Sequence, residues 1–331
     1  MFTPYLIHEA MQQLDEGADV EQLINKIKQL ELGLPKEDEF SVILCWLNRC
    51  RLIHKLGQEH APPEASKHYR VPDLLAIFDY DHKQLPVLIE VKTTKKPTLS
   101  WRPDYYESLK RYSDELGLPL LLAWKWPPVF GLWVLVDLNV FRKAVVNYNL
   151  SFFDAMKNNL MGVLAGDFFV HLYNGTGIHI RTKKEKLVKR EQKERDIEEL
   201  WLLKIDDVYL TGKHGIRVED PSNGAWSWVF ASQLETRTEF SDSHILHSFV
   251  VDEEFPSEFA SRALPILFSF FAAEEKEINW RQKLAKYQFP VTAEELRAAA
   301  TDGLEKGFIR YVMHQQPSEW PSYLRHDMKG D

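Results

Sequence analysis

The sequence predicts an α/β core, a mixed central sheet flanked by helices, followed by a separate α+β region toward the C-terminus. Three observations predict it. Two apolar runs, RVPDLLAIF and LPVLIEVKTT, are joined by the polar turn DYDHKQ and read as consecutive strands. A helix-period segment over Asp104 to Leu116 (DYYESLKRYSDEL) then ends at Gly117 and leads into the strand LPLLLAW, Leu118 to Trp124. From about residue 200 the pattern changes to short strand-like runs, and from Pro256 to helices.

Residues 1–36 read as a helical extension with Ala10, Leu14, Val20, Leu23, Ile24 and Ile27 as apolar positions, broken at Gly33-Leu34-Pro35. A helix with Phe40, Ile43, Leu44 and Leu47 on one face precedes the two strands. The run LPLLLAWKWPPVFGLWVLVDL is long and apolar, but Lys125 and Pro127-Pro128 interrupt it, so it reads as two strands and a turn and not as a membrane span. FFDAMKNNLMGVL adds a helix and DFFVHLY a strand. Asn174-Gly175-Thr176-Gly177 is a hairpin signal. The run from Arg181 to Arg195 alternates acids with bases and reads as an exposed helix with i,i+4 pairs. The first domain is therefore expected to span 37–180 and the second 181–331. In the second, WLLKIDDVYL, GIRVED, AWSWVFASQL and HILHSFVVD read as short strands. Near the end, Thr292 caps a helix, Gly307 stops it and FIRYVMHQ forms a strand, an order similar to a winged-helix module.

At 331 residues the chain has room for two cores, and 44% hydrophobic with 12% aromatic residues describes globular domains. The two cysteines, Cys45 and Cys50, are placed on the first core helix without CxxC or His-rich company, which fits reduced thiols in a cytoplasm. No basic region leading into an apolar run opens the chain, so no signal peptide is expected. There is no P-loop, GxGxxG or HExxH motif. His244 and His247 have a spacing that would suit two ligands on a helix, but their neighbours are strand-like and no third ligand is evident.

The chemistry concentrates at Pro72-Asp73 and Glu90-Val91-Lys92. Residues two apart on a strand share a face, so Glu90 and Lys92 project together beside Asp73. Two carboxylates, with the carbonyl of Val91, form an oxygen set suited to Mg²⁺ or Mn²⁺, and an adjacent ammonium suits the charge that develops in phosphodiester hydrolysis. Pro103-Asp104, by contrast, is followed by no acid-x-Lys and sits in polar sequence.

The order helix with Glu, strand with Pro-Asp, strand with Glu-x-Lys, helix, strand resembles the PD-(D/E)xK nuclease superfamily, over roughly residues 37 to 140. The resemblance implies a restriction-endonuclease-like core and Mg²⁺-dependent cleavage of DNA, with RNA left open and a homodimer or larger nuclease complex allowed. It implies Asp73 and Glu90 as metal ligands, Lys92 as the catalytic lysine, and Glu39 on the first helix as base or further ligand. The Gln-x-x-x-Tyr of some branches is met only by Tyr112, with Ser108 where the Gln would stand. Net charge is −8, so nucleic-acid binding needs a local basic surface, which Lys95, Lys96, Arg102, Lys110 and Arg111 supply with Trp101, Tyr105, Tyr106 and Tyr112 interleaved. A non-catalytic scaffold of the same fold and a sugar or nucleotide phosphohydrolase are the rival readings.

Overall fold

The computed structural model describes residues 36–57, 68–127, 131–192, 197–271 and 289–325. Predictions for residues 1–35 lie outside these. The described residues group into two units, 36–167 with 315–325, and 168–271 with 289–314.

In the first unit, helix α1 (residues 36–47) carries Phe40, Ile43, Leu44 and Leu47, all buried, at the spacing that puts them on one face. Five strands follow: β1 (Cys50–Lys55), β2 (Leu74–Tyr80), β3 (Lys83–Thr93) and, after the intervening β4 (Thr98–Trp101) and helix α2 (Pro103–Leu116), β5 (Leu120–Trp126) and β6 (Leu132–Asp137). Their order is β1-β2-β3-β5-β6. Only β3 and β5 run parallel, so the sheet is mixed and α2 lies in the crossover that parallel neighbours require.

Pairing fixes the faces. Leu74 sits opposite Ile89 and Ala76 opposite Val87, while Val91 lies beside Ala123 and Lys125 opposite Trp133. This face receives α1, whose Phe40 ring lies 4.8 Å from that of Trp133. Glu90, Lys92, Leu122 and Trp124 share the other face, the side to which α2 brings Tyr105. Helix α2 starts at Pro103, buries Tyr106, Leu109 and Ser113, and stops at Gly117, whose φ of 63° lets the backbone turn left-handed. Strand β4 joins β7 (Arg142–Ala144) and β8 (Asn147–Ser151) in a three-stranded sheet. Helix α3 (Phe152–Lys157) follows, capped by Ser151.

In the second unit, β9 (Phe169–Leu172) pairs with β14 (Ser257–Phe259) and β15 (Ile309–Met313). A four-stranded sheet runs β11-β10-β13-β12, with β10 Gly177–Gln192, β11 Ile197–Thr211, β12 Leu234–Phe240 and β13 His244–Val251. The helices are α4 (Asn223–Ala231), α5 (Ala260–Phe271) and α6 (Ala293–Lys306). Thr292 caps α6 in a reciprocal box with Glu295, and Gly307 ends it at φ 74°.

Several expectations are corrected. The charged run from Arg181 to Gln192 is part of strand β10, not a helix, and its last residues, 193–195, lie outside the described residues. Its opposite charges meet across strands, as in Arg181 with Asp206 at 2.7 Å and Arg190 with Glu199 at 3.4 Å, and i,i+4 spacing alone does not distinguish that from a helix face. Because β10 continues from 177 to 192, no boundary falls at 180; the units divide at 167/168. Asn174-Gly175 makes a turn, but it joins β9 and β10, which belong to different sheets, so it is no hairpin. AWSWVFA forms α4, because all of it but the side of Trp226 and Phe230 is buried, and tertiary packing overrides the strand preference of Trp and Val. GIRVED contributes one bridge, Thr211 with Arg217, not a strand. Cys50 opens β1 and is not on the helix with Cys45; both are free thiols, and burial with the neighbouring Cys45 pushes the Cys50 thiol up to about 12. His244 and His247 lie on β13, where a spacing of three turns them to opposite faces.

Helices α4 and α6 cross closely at Gly224. A Cβ there would meet the Ala299 Cβ at 2.6 Å and the Glu295 carbonyl oxygen at 2.7 Å, and Trp228 Nε1 donates to the Leu296 carbonyl at 2.9 Å beside it. Gly224→Ala therefore forces the helices apart and is expected to cost about 1–3 kcal/mol. Urea unfolding followed by tryptophan fluorescence checks this, and an unchanged midpoint would contradict the crossing.

Candidate active site

The first unit places Asp73 and Glu90 side by side. The β2–β3 register pairs Leu74 with Ile89, so one step further along the ladder Asp73 meets Glu90. Asp73 lies just before the strand begins, and its Oδ2 accepts the Val91 amide at 2.7 Å in place of a ladder bond. Glu90 is buried, with Oε1 accepting both the Lys92 ammonium and the Tyr105 hydroxyl. Lys92 Nζ also donates to the Val91 carbonyl at 3.1 Å. Arg70, exposed, stacks over the Tyr105 ring with its guanidinium carbon 4.4 Å from the centroid.

The electrostatics follow from two acids sharing one partly buried corner. Burial, then the Glu90 charge, push the Asp73 carboxyl up to about 7, against the opposing pull of Lys92; the Glu37 charge adds to the rise. Burial works against the Lys92 ammonium, but Glu90, Tyr105 and Asp73 together raise its pKa above the usual lysine range. Lys92 is therefore a permanent cation at physiological pH and has no lone pair with which to act as a base. Burial and Glu90 push the Tyr105 phenol up to about 12, so it remains a donor.

Glu39 stands elsewhere. Its Oε1 accepts from Lys125 and from Trp133 Nε1 at 3.0 Å, and its Oε2 pairs with Lys36 at 3.0 Å. Lys125 and Trp133 belong to the sheet face that packs on α1, opposite the face of Glu90 and Lys92. Burial disfavours the Glu39 charge, yet Lys125 and Lys36 hold its carboxyl below the usual range. It is a neutralised structural ion cluster. The helix acid whose charge reaches Asp73 is Glu37, which is ion-paired with Lys55 of β1.

The basic residues are dispersed. Lys95, Lys96 and Arg102 are exposed in and after the loop that follows β3. Lys110 pairs with Asp114 at 2.8 Å along α2, Arg111 Nε donates to the His68 carbonyl at 3.0 Å, and Tyr112 is half-buried. Helix α2 thus offers Tyr105 to the acids. Tyr105 as the donor to Glu90, and Arg70 above it, carry no sequence signal of their own. Lys125, alone among the apolar residues of LLLAWKW, does: a lysine in a buried strand demands a buried acid.

Among the described residues no group of three or more His, Cys, Asp or Glu side chains is assembled as a metal site, and no helix is long and apolar enough to cross a membrane. The oxygen donors at this corner are the two carboxylates and the Val91 carbonyl.

No family model matches the chain, and no curated protein matches it. One solved structure that is similar is a Holliday junction resolvase from the archaeal hyperthermophile Archaeoglobus fulgidus, at 19% identity over 36% of this chain and 88% of that one. The TM-score is 0.29, too low for the likeness to bear on the function.

Asp73 binds its proton more tightly when folded, with a pKa of about 7 against 3.8, so its contribution to stability is full at low pH and is lost as pH rises through 7. Asp73→Asn removes that dependence. The stability difference, variant minus wild type, is expected to grow by about 1.4 kcal/mol per pH unit between about pH 4 and 7 and then level. Urea titrations across that range read it directly, and a flat difference would show that burial and the Glu90 charge do not raise the Asp73 pKa.

Proposed function

We propose that the first unit is a divalent-metal-dependent nuclease that hydrolyses phosphodiester bonds in DNA. The observation that carries this reading is the pairing of Asp73 with Glu90, two acids held together at an energetic cost, with the permanent cation Lys92 on the same face. Acids that repel each other in one partly buried corner are suited to a cation, and oxygen donors of this kind fit Mg²⁺ or Mn²⁺. Asp73, Glu90 and the Val91 carbonyl would hold it. When bound, a divalent ion supplies Lewis acidity toward water and toward a phosphoryl oxygen.

The chain's own residues supply the rest. Asp73, with its pKa near 7, loses its proton to accept a cation, which makes loading favourable toward higher pH. Lys92 stays protonated and offers N–H donors to a phosphate oxygen as negative charge grows there. Tyr105 holds one Glu90 oxygen and fixes the carboxylate's orientation. Arg70, at the exposed side of Tyr105, provides a positive lip for a backbone phosphate. Glu37 takes the place of Glu39 as the helix acid of this site, because Glu39 is neutralised on the other face of the sheet.

Plasmid, branched DNA, single-stranded DNA and RNA incubated with Mg²⁺ or Mn²⁺ test the reading. The expected outcome is metal-dependent cleavage of DNA, abolished by Asp73→Ala and slowed about 10²–10³-fold by Lys92→Ala. Glu37→Gln is expected to slow cleavage more than Glu39→Gln in protein shown to be folded by circular dichroism. Equal cutting by wild type and Asp73→Ala would remove the site, and cutting of RNA alone would reassign the substrate.

A further inference from the structure

Among the described residues strand β11 is the outermost strand of its sheet, with β10 on one side, and alternate residues turn their backbone N–H and C=O groups away from β10. Its pairing with β10 extends far beyond the rest of the sheet. The partner strand β13 reaches β10 only as far as Lys183, while the β10–β11 ladder continues from there to Gln192 and Ile197. Along this ribbon β11 exposes apolar side chains among charged ones: Leu200 by 59%, Leu202 by 54% and Ile205 by 65%. Exposed edges of this length are usually blunted by charge or a bulge, because they recruit another strand.

The sequence of the edge says which strand it suits. Two copies of one edge related by a two-fold axis pair antiparallel, and a residue whose N–H points outward must meet another that also points outward. The two numbers of each pair then add to an even sum, and the axis falls on a residue. Centring it on Trp201 puts Leu200 against Leu202 of the partner subunit and Glu198 against Lys204 of the partner subunit, each occurring twice. A centre at Leu202 or Leu203 instead sets Glu198 or Glu199 against an aspartate, Asp206 or Asp207, and a centre at Leu200 sets Glu198 against a leucine. The register irregularities at Glu185 and Val188 lie on β10, and the one on β11 lies at Asp206, so the stretch from Glu198 to Ile205 is an unbroken strand. Lys204 is exposed, and among the described residues it approaches Glu185 at 3.9 Å.

We propose that β11 is a self-complementary edge through which two copies of this chain associate, pairing antiparallel about Trp201 to form one continuous sheet. This surface belongs to the second unit and does not depend on the chemistry assigned to the first. Its recognition combines backbone hydrogen bonds with cross-strand leucine contacts and two Glu198–Lys204 pairs, the mode by which strands add to an open edge.

Sedimentation velocity of the full chain over about 1–100 μM tests it, with a dimer expected to form across that range. Lys204→Glu sets acid against acid at both ends and is expected to weaken the dimer about tenfold, while the double variant Glu198→Lys/Lys204→Glu restores it. Leu200→Asp/Leu202→Asp is expected to leave a monomer with an unchanged circular dichroism spectrum. Register is read by oxidation: Trp201→Cys places two thiols across the axis and cross-links, whereas Leu203→Cys lies opposite Glu199 of the partner subunit and does not. The unsubstituted chain controls for Cys45 and Cys50. A monomer at every concentration, a dimer indifferent to the Asp or Glu substitutions, or equal cross-linking of the two cysteine variants would overturn the proposal.

Discussion

The β2–β3 register brings Asp73, just ahead of Leu74, next to Glu90, and burial together with the Glu90 charge disfavours the ionised form of Asp73. Two carboxylates in a partly buried corner raise each other's cost of ionisation unless a cation intervenes. The chain supplies one such cation, Lys92, from the same strand and the same face as Glu90, and two further donors: the Val91 amide to Asp73 and the Tyr105 hydroxyl to Glu90. Burial first, and the Glu90 charge second, still push the Asp73 carboxyl up to about 7 despite these contacts. A carboxyl pushed up beside a second acid and a lysine is the physical reason to propose a function for this corner.

The same sheet handles a second buried acid in the opposite way. Glu39 is surrounded by Lys125, Lys36 and the Trp133 indole, and its carboxyl is held low, not high. Removing one partner from such a cluster strands a charge, which is why it contributes to holding α1 on the sheet. One face thus carries a carboxyl held below its ordinary range and the other a carboxyl held above it.

Much of the first unit was legible in the sequence because period and pairing coincide there. The alternation of LLAIF and the Gly117 stop of α2 have local causes and are reproduced, whereas the turn shrinks from DYDHKQ to Asp81-His82 and α2 starts at Pro103, one residue before the expected Asp104. The choice between Glu37 and Glu39 was not legible, since three acids in a helix's first turn differ only in which neighbour each meets, and Lys125 meets Glu39 through an 86-residue separation in sequence. In the second unit, the charged run and AWSWVFA were misread for a shared reason. Their conformations are decided by non-local partners, β11 and β13 for the first and α6 for the second, and local propensity has no access to those.

If a divalent ion is held between Asp73 and Glu90, its binding displaces the Asp73 proton. Isothermal titration of Mn²⁺ into the folded chain at about pH 6, in buffers of different ionisation enthalpy, measures both binding and proton release. The expected result is binding at one site with release of the Asp73 proton, affinity that rises with pH and levels above about 7, loss of binding in Asp73→Asn, and retention in Glu39→Gln. Binding without proton release, or binding by Asp73→Asn as tight as that of the wild type, would contradict it.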